Sequence, residues 1–122
     1  MKQSTRLMIV EDEAITAFEM QESLTAMGYD VFKMVDSGEE AIKQAEIGSP
    51  DAILMDIRLK GDIDGIEAAR IIHQRNGIPV VFVTAYAEEE KIKKAQEAHP
   101  FGFLLKPVQE KDLKIAIETA LY

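Results

Sequence analysis

The sequence predicts an α/β domain: a doubly wound, five-stranded parallel sheet flanked by five helices. Two observations predict it. Short apolar runs alternate with helical periodicity five times along the 122 residues, the pattern of a parallel sheet covered on both faces. Four of those runs also end in polar side chains: Leu7 to Val10 in Glu11 and Asp12, Ala52 to Met55 in Asp56, Val80 to Val83 in Thr84, and Phe101 to Leu105 in Lys106. Neighbouring parallel strands share one carboxyl edge, so acids, a hydroxyl and an amine would converge there, where ligands sit in open α/β sheets.

The first strand covers residues 5 to 10. Ala14, Ala17, Met20, Leu24 and Met27 then recur at helical spacing, with Gly28 as the stop. A second strand runs from Val31 to Val35, followed by Ser37 and Glu40 in capping-box spacing for a helix to Ile47, ended by Gly48, Ser49 and Pro50. The third strand is Asp51 to Met55. After it comes a long polar loop through Lys60, Gly61, Asp62 and Ile63, then a helix opened by Asp64 and Gly65 whose stripe is Ile66, Ala69 and Ile72. Asn76, Gly77 and Pro79 precede the fourth strand, Val80 to Val83. The fourth helix, marked by Glu88, Ile92 and Ala95, has few large apolar anchors and is expected to be mobile. Phe101 to Leu105 form the fifth strand, and Leu113, Ala116, Ile117 and Ala120 mark the last helix. Crossovers should be right-handed. Periodicity does not choose the strand order, but 2-1-3-4-5 would set the first and third strands side by side, and Asp12 next to Asp56.

Length suits one compact domain over residues 1–122. With 47% hydrophobic and 30% charged residues, disordered and fibrous classes are excluded. The formal charge of −8 argues against direct nucleic-acid binding, which draws on lysine and arginine. No cysteine is present, so thiolate metal sites and cysteine nucleophiles are ruled out. The start carries Lys2 and Arg6, but the apolar run behind them is too short for a signal peptide, and nothing approaches the ~18 residues of a membrane span. A cytoplasmic protein without membrane contact is expected.

The strings "MIVEDE" at 8–13, "DAILMDIRL" at 51–59, "DGIEAA" at 64–69, "IPVVFVTAY" at 78–86 and "FGFLLKP" at 101–107 together resemble the receiver domains of two-component response regulators, over essentially the whole chain. The resemblance implies a flavodoxin-like fold of strand order 2-1-3-4-5. It implies that Asp56 accepts a phosphoryl group from a histidine kinase or histidine phosphotransfer protein, with Mg²⁺ held by Asp12, Asp56 and the main-chain carbonyl of Arg58, and Glu11 holding a metal-bound water. Thr84 would take a phosphoryl oxygen, Lys106 would pair with the phosphate, and Phe103 would be the switch aromatic. The Lys106–Pro107 peptide is usually cis in such domains. A downstream protein or output domain would read the surface of helix 4, strand 5 and helix 5. A receiver is a phosphoacceptor rather than a turnover enzyme, and the chain suits either a single-domain regulator or a receiver cut from a longer protein.

The residues support this chemistry independently. Three carboxylates about 5 Å apart repel by roughly 3 kcal/mol per pair at an effective dielectric of about 20, and Lys106 alone does not neutralise them. A small hard cation such as Mg²⁺ meets the need. Phosphoryl transfer asks mainly for positioning and charge neutralisation.

Blander roles exist for each residue. Asp12 is a candidate helix N-cap, Glu11 a dipole-stabilising acid, Thr84 a cap for helix 4, Lys106 a solvated lysine, and Phe103 a core aromatic. Jointly they are outweighed by the phosphoacceptor reading. His73 and His99 are set aside as flank and loop residues, and Lys91, Lys93 and Lys94 as a solvated face paired with Glu88 to Glu90. Three departures from the usual pattern stand out: Glu11 where aspartate is frequent, a longer loop "RLKGDID" at 58–64 without its usual proline, and the bulky Arg58 two residues after the acceptor. Two rivals remain. An aspartyl-phosphate phosphohydrolase typically carries a second aspartate where Arg58 stands, and a phosphorylation-independent module of the same fold would be expected to lack acceptor, acid or lysine.

Overall fold

A computed structural model describes residues 4–85, 89–97 and 100–122. Lys2, Tyr86, Glu88 and His99 lie outside the described residues, as do the side chains of Glu89, Glu90 and Lys91.

The elements follow in strict alternation: β1 (Arg6–Val10), α1 (Ala14–Ala26), β2 (Asp30–Val35), α2 (Gly38–Gly48), β3 (Ala52–Met55), α3 (Gly65–Asn76), β4 (Val80–Thr84), α4 (Glu89–Glu97), β5 (Gly102–Leu105) and α5 (Glu110–Leu121). The sheet is parallel throughout, in the order β2-β1-β3-β4-β5. This order puts β1 beside β3, with Val10 opposite Met55, so the residues that follow them emerge together.

Strand alternation splits the core into two layers. Met8, Val10, Ile53, Met55 and Phe82 face α2, α3 and Ala95 of α4. Leu7, Ile9, Leu54, Val81 and Val83 face α1 and α5. Every residue of β3 and β4 is buried. The edge strands differ: β2 buries only Val35 and β5 is half-buried at best.

Local signals set the boundaries. The Ser37 side chain accepts the Glu40 N–H at 3.2 Å and the Asp64 side chain accepts the Glu67 N–H at 2.9 Å, so both helices begin at an oxygen cap. Gly77, at φ +67°, closes α3 in the left-handed conformation, with its N–H bonded to His73 O. The α3 stripe Ile66, Ala69 and Ile72 is buried.

The structure corrects some details. Ala14 is exposed, and α1 is anchored by Ala17 and Leu24 with Met20 and Met27 half-buried. The N-cap of α1 is Glu13, without a side-chain cap bond, so Asp12 is not the cap. Phe101 lies outside β5 and is 47% exposed, because the strand begins one residue later at the sheet's rim. Among the described residues, no helix is long and apolar enough to cross a membrane.

Candidate functional site

The strand ends converge as the alternation of runs predicts. The Asp56 N–H donates to Val10 O at 2.9 Å and the Glu11 N–H to Val35 O at 3.0 Å, which extends the β1 ladders one residue past the strands. That backbone fixing carries the two acids inward. Glu11 is 4% exposed and Asp56 7% exposed, while Asp12 faces solvent. One oxygen from each of Glu11, Asp12 and Asp56 lies within 4.8 Å of the others.

Lys106, directly after β5, reaches across the end of β4 to this cluster. Its Nζ donates to Asp56 Oδ2 at 2.9 Å and, in a shorter contact, to Glu11 Oε1. Its main-chain N–H donates to Thr84 O at 2.9 Å, so the end of β4 also aims it. Glu11 Oε2 accepts the Glu13 N–H at 3.1 Å, and Asp56 Oδ1 accepts the Arg58 N–H at 3.3 Å. The Lys106–Pro107 peptide is cis.

Burial pushes the Glu11 carboxyl above its ordinary value, against the lowering effect of the Lys106 and Glu13 hydrogen bonds; the charge on Asp56 pushes the same way as burial. For Lys106, burial alone would favour the neutral amine. The hydrogen bonds to Glu11 and Asp56 and the charges behind them outweigh it, and its pKa is raised. The ammonium therefore stays charged between two acids, one of which holds its proton more readily than usual.

Thr84 ends β4 with no exposed surface, between β3 and β5. The reading of Thr84 as a cap for α4 falls on residues 86–88, which lie outside the described residues. Phe103 pairs in register with Phe82, and the rings meet edge to face with centroids 6.3 Å apart. It is half-buried on the layer shared by Phe82 and Thr84, two residues apart on one strand face.

Sequence reasoning missed two features. Gly65 packs directly under the acceptor peptide: a Cβ there would stand 2.0 Å from Asp56 O, and its N–H donates to Ile57 O at 2.7 Å. Glycine at the first position of α3 was the available signal. The second is a tie between the loop after β3 and the start of α2, through Ser37, Glu39 and Lys60. No sequence period marks it, because it joins two loops from different βα units.

The carboxyl edge of this parallel α/β sheet thus gathers three acids, a lysine and a threonine, the arrangement of a flavodoxin-like receiver. The sequence profile of the response regulator receiver domain matches residues 7–118, and the chain belongs to that family. It is 34% identical over 116 residues to the transcriptional regulatory protein PdtaR of Mycobacterium tuberculosis, covering 95% of this chain and 56% of that protein. The chain spans about half the length of the curated relatives it matches. Among solved structures, it resembles the signal receiver domain of a modulated diguanylate cyclase from Desulfovibrio desulfuricans G20 (36% identity, TM-score 0.93, 98% and 94% of the two chains). It also resembles the receiver domain of a sensor histidine kinase from Pseudomonas aeruginosa PAO1, which has a magnesium ion coordinated in its active-site cleft (30% identity, TM-score 0.87, 98% of each chain).

Proposed function

We propose that this receiver accepts a phosphoryl group on Asp56 from a histidine kinase or histidine phosphotransfer protein, with Mg²⁺ as cofactor, and that the modified form offers a different surface to a downstream protein or output domain. One observation carries the reading: the nearly buried Asp56 carboxylate sits 2.9 Å from Lys106 Nζ and within 4.8 Å of Glu11 and Asp12.

The donor set fits a small hard cation, since three carboxylates gather where Lys106 contacts Glu11 and Asp56, and all offer oxygen. Asp12, Asp56 and the main-chain carbonyl of Arg58 would hold Mg²⁺, with Glu11 beside them acting through water; the bound ion of the Pseudomonas relative supports this. When bound, Mg²⁺ supplies positive charge opposite the equatorial oxygens of the phosphoryl group.

The protein groups do the rest. An Asp56 oxygen bonds to phosphorus while the P–N bond of the phosphohistidine breaks, and the imidazole leaves with that electron pair. Lys106, already at the carboxylate, moves onto a phosphoryl oxygen, and Thr84 donates its hydroxyl to another. The acceptor then carries about two negative charges in place of one. Thr84 is drawn toward it, and Phe103, on the same face, takes up the space released, changing the surface of α4, β5 and α5. The half-buried packing of Phe103, and Ala95 as the buried anchor among the described side chains of α4, support that step.

The domain works in the cytoplasm through protein contacts, without nucleic acid or membrane, and is not a turnover enzyme. Arg58 at the position of a hydrolase's second aspartate weighs against the phosphohydrolase. Acceptor, acid and lysine in mutual contact weigh against a phosphorylation-independent module. Incubation with acetyl phosphate and Mg²⁺ tests this by intact mass. Wild type should gain one phosphoryl group and Asp56→Asn none. Multiple turnovers of released phosphate would favour the hydrolase, and an unmodified wild type would refute the reading. Amide exchange in α4 that is identical with and without a phosphate mimic would refute the output step.

A further inference from the structure

We propose that Glu39, on the first turn of α2, is a positioning residue for the metal side of the site: it holds the loop between β3 and α3, which carries the Arg58 carbonyl proposed to ligate Mg²⁺. The inference rests on the function proposed above and adds a residue that the phosphoryl chemistry itself does not use.

The loop leaves the sheet at Asp56 and reaches α3 only at Gly65. Its near end is fixed by the Arg58 N–H on Asp56 Oδ1, and its far end by the Gly65 N–H on Ile57 O. The segment between, residues 59–63, belongs to no helix or strand of its own. It is held from outside by the corner where β2 passes into α2. Glu39 Oε2 accepts the Asp62 N–H at 2.8 Å. Gly61, at φ +101°, turns the chain so closely around the same carboxylate that a Cβ there would lie 2.6 Å from Glu39 Oε1. Lys60 makes an isolated parallel bridge with Ser37, and Ile63 packs over Gly38, where a Cβ would meet Ile63 Cγ1 at 2.8 Å.

Lys60 also pairs with Asp36 at 2.6 Å, but both side chains are more than half exposed, and such pairs contribute little. The Glu39 bond differs because its donor is main chain, so it fixes the backbone itself. A loop freed at this point would present the Arg58 carbonyl only part of the time, and apparent metal affinity falls by that fraction.

Calorimetric titration of unphosphorylated protein with Mg²⁺, and amide exchange across residues 58–62 in chelator, test the assignment. Glu39→Ala should weaken Mg²⁺ binding about fivefold, the consequence of roughly one-fifth occupancy of the competent loop. It should speed exchange of the Asp62 amide and leave the phosphorylation rate at saturating Mg²⁺ unchanged. Gly61→Ala, which displaces the same carboxylate and strains a left-handed residue, should act in the same direction. Glu39→Gln keeps an oxygen acceptor without the charge and should stay close to wild type; Asp36→Asn should too. Glu39→Ala indistinguishable from wild type in both measurements overturns the proposal. Glu39→Gln as weak as Glu39→Ala also overturns it, because charge rather than the bond would be acting. A wild type that takes up neither Mg²⁺ nor a phosphoryl group defeats the proposed function instead, and amide exchange then still decides whether Glu39 holds the loop.

Discussion

The centre of the sheet and its β5 edge are built to different standards. Around β1, β3 and β4 every apolar side chain from Leu7 to Val10 and from Ala52 to Met55 is at most 1% exposed, and the acids that follow are held by ladder hydrogen bonds. At β5 the strand is half-buried, Phe101 and Leu105 are each 47% exposed, and Ala95 is the buried residue among the described side chains of α4. The difference teaches where each task can sit. Holding like charges close together needs a dense, fixed support, since a buried charge is stabilised only by well-placed partners. A surface that changes its contacts needs the reverse, few anchors and apolar groups already near solvent.

Substitutions can break this comparison. Phe82→Ala, in the fully buried centre, should cost about 4 kcal/mol in urea denaturation, whereas Leu105→Ala on the rim should cost less than about 1 kcal/mol. Equal losses would erase the distinction. Lys106→Ala leaves Glu11 and Asp56 facing each other without their ammonium and should cost about 3 kcal/mol at neutral pH. Because its pKa is raised in the folded protein, that contribution is complete below about pH 10.5 and is lost as pH rises through the folded value. Alkaline titration of stability in wild type but not in Lys106→Ala would show it.

Glu11 sharpens the contrast in the opposite sense. Its folded pKa lies above the ordinary 4.5, so the folded state binds the proton more tightly than the unfolded state. Its effect is therefore most favourable at low pH and is eroded as pH rises from that value through the folded one. In chelator, wild type should gain stability relative to Glu11→Gln as pH falls through the folded value toward 4.5. A parallel pH dependence in the two proteins would mean the dense centre carries no strained charge. The smallest effect is at a cap: Ser37→Ala should cost about 1 kcal/mol in thermal or urea unfolding, and Glu13→Ala, whose side chain caps nothing, almost nothing.

Much of this molecule was legible in one dimension. The apolar runs marked each strand to within a residue or two, Ser37 and Asp64 announced two helices through short-range hydrogen bonds, and the polar residues closing the runs marked the sheet edge where three acids and Lys106 gather. These signals are local, set by chain geometry over a few residues. The Ala14 and Phe101 assignments failed where burial depends on which element lies opposite, something no period of three or two encodes.

The sequence by itself determined the element types, their alternation and the chemical groups at the strand ends, because propensity, capping and burial periodicity act along the chain. Tertiary structure alone decided that β1 lies against β3, that Lys106 is shared by Glu11 and Asp56, and that Glu39 reaches the Asp62 amide. Those contacts join residues 45, 95, 50 and 23 positions apart. Only the packing of both helical layers on one twisted sheet brings such separations within hydrogen-bonding reach.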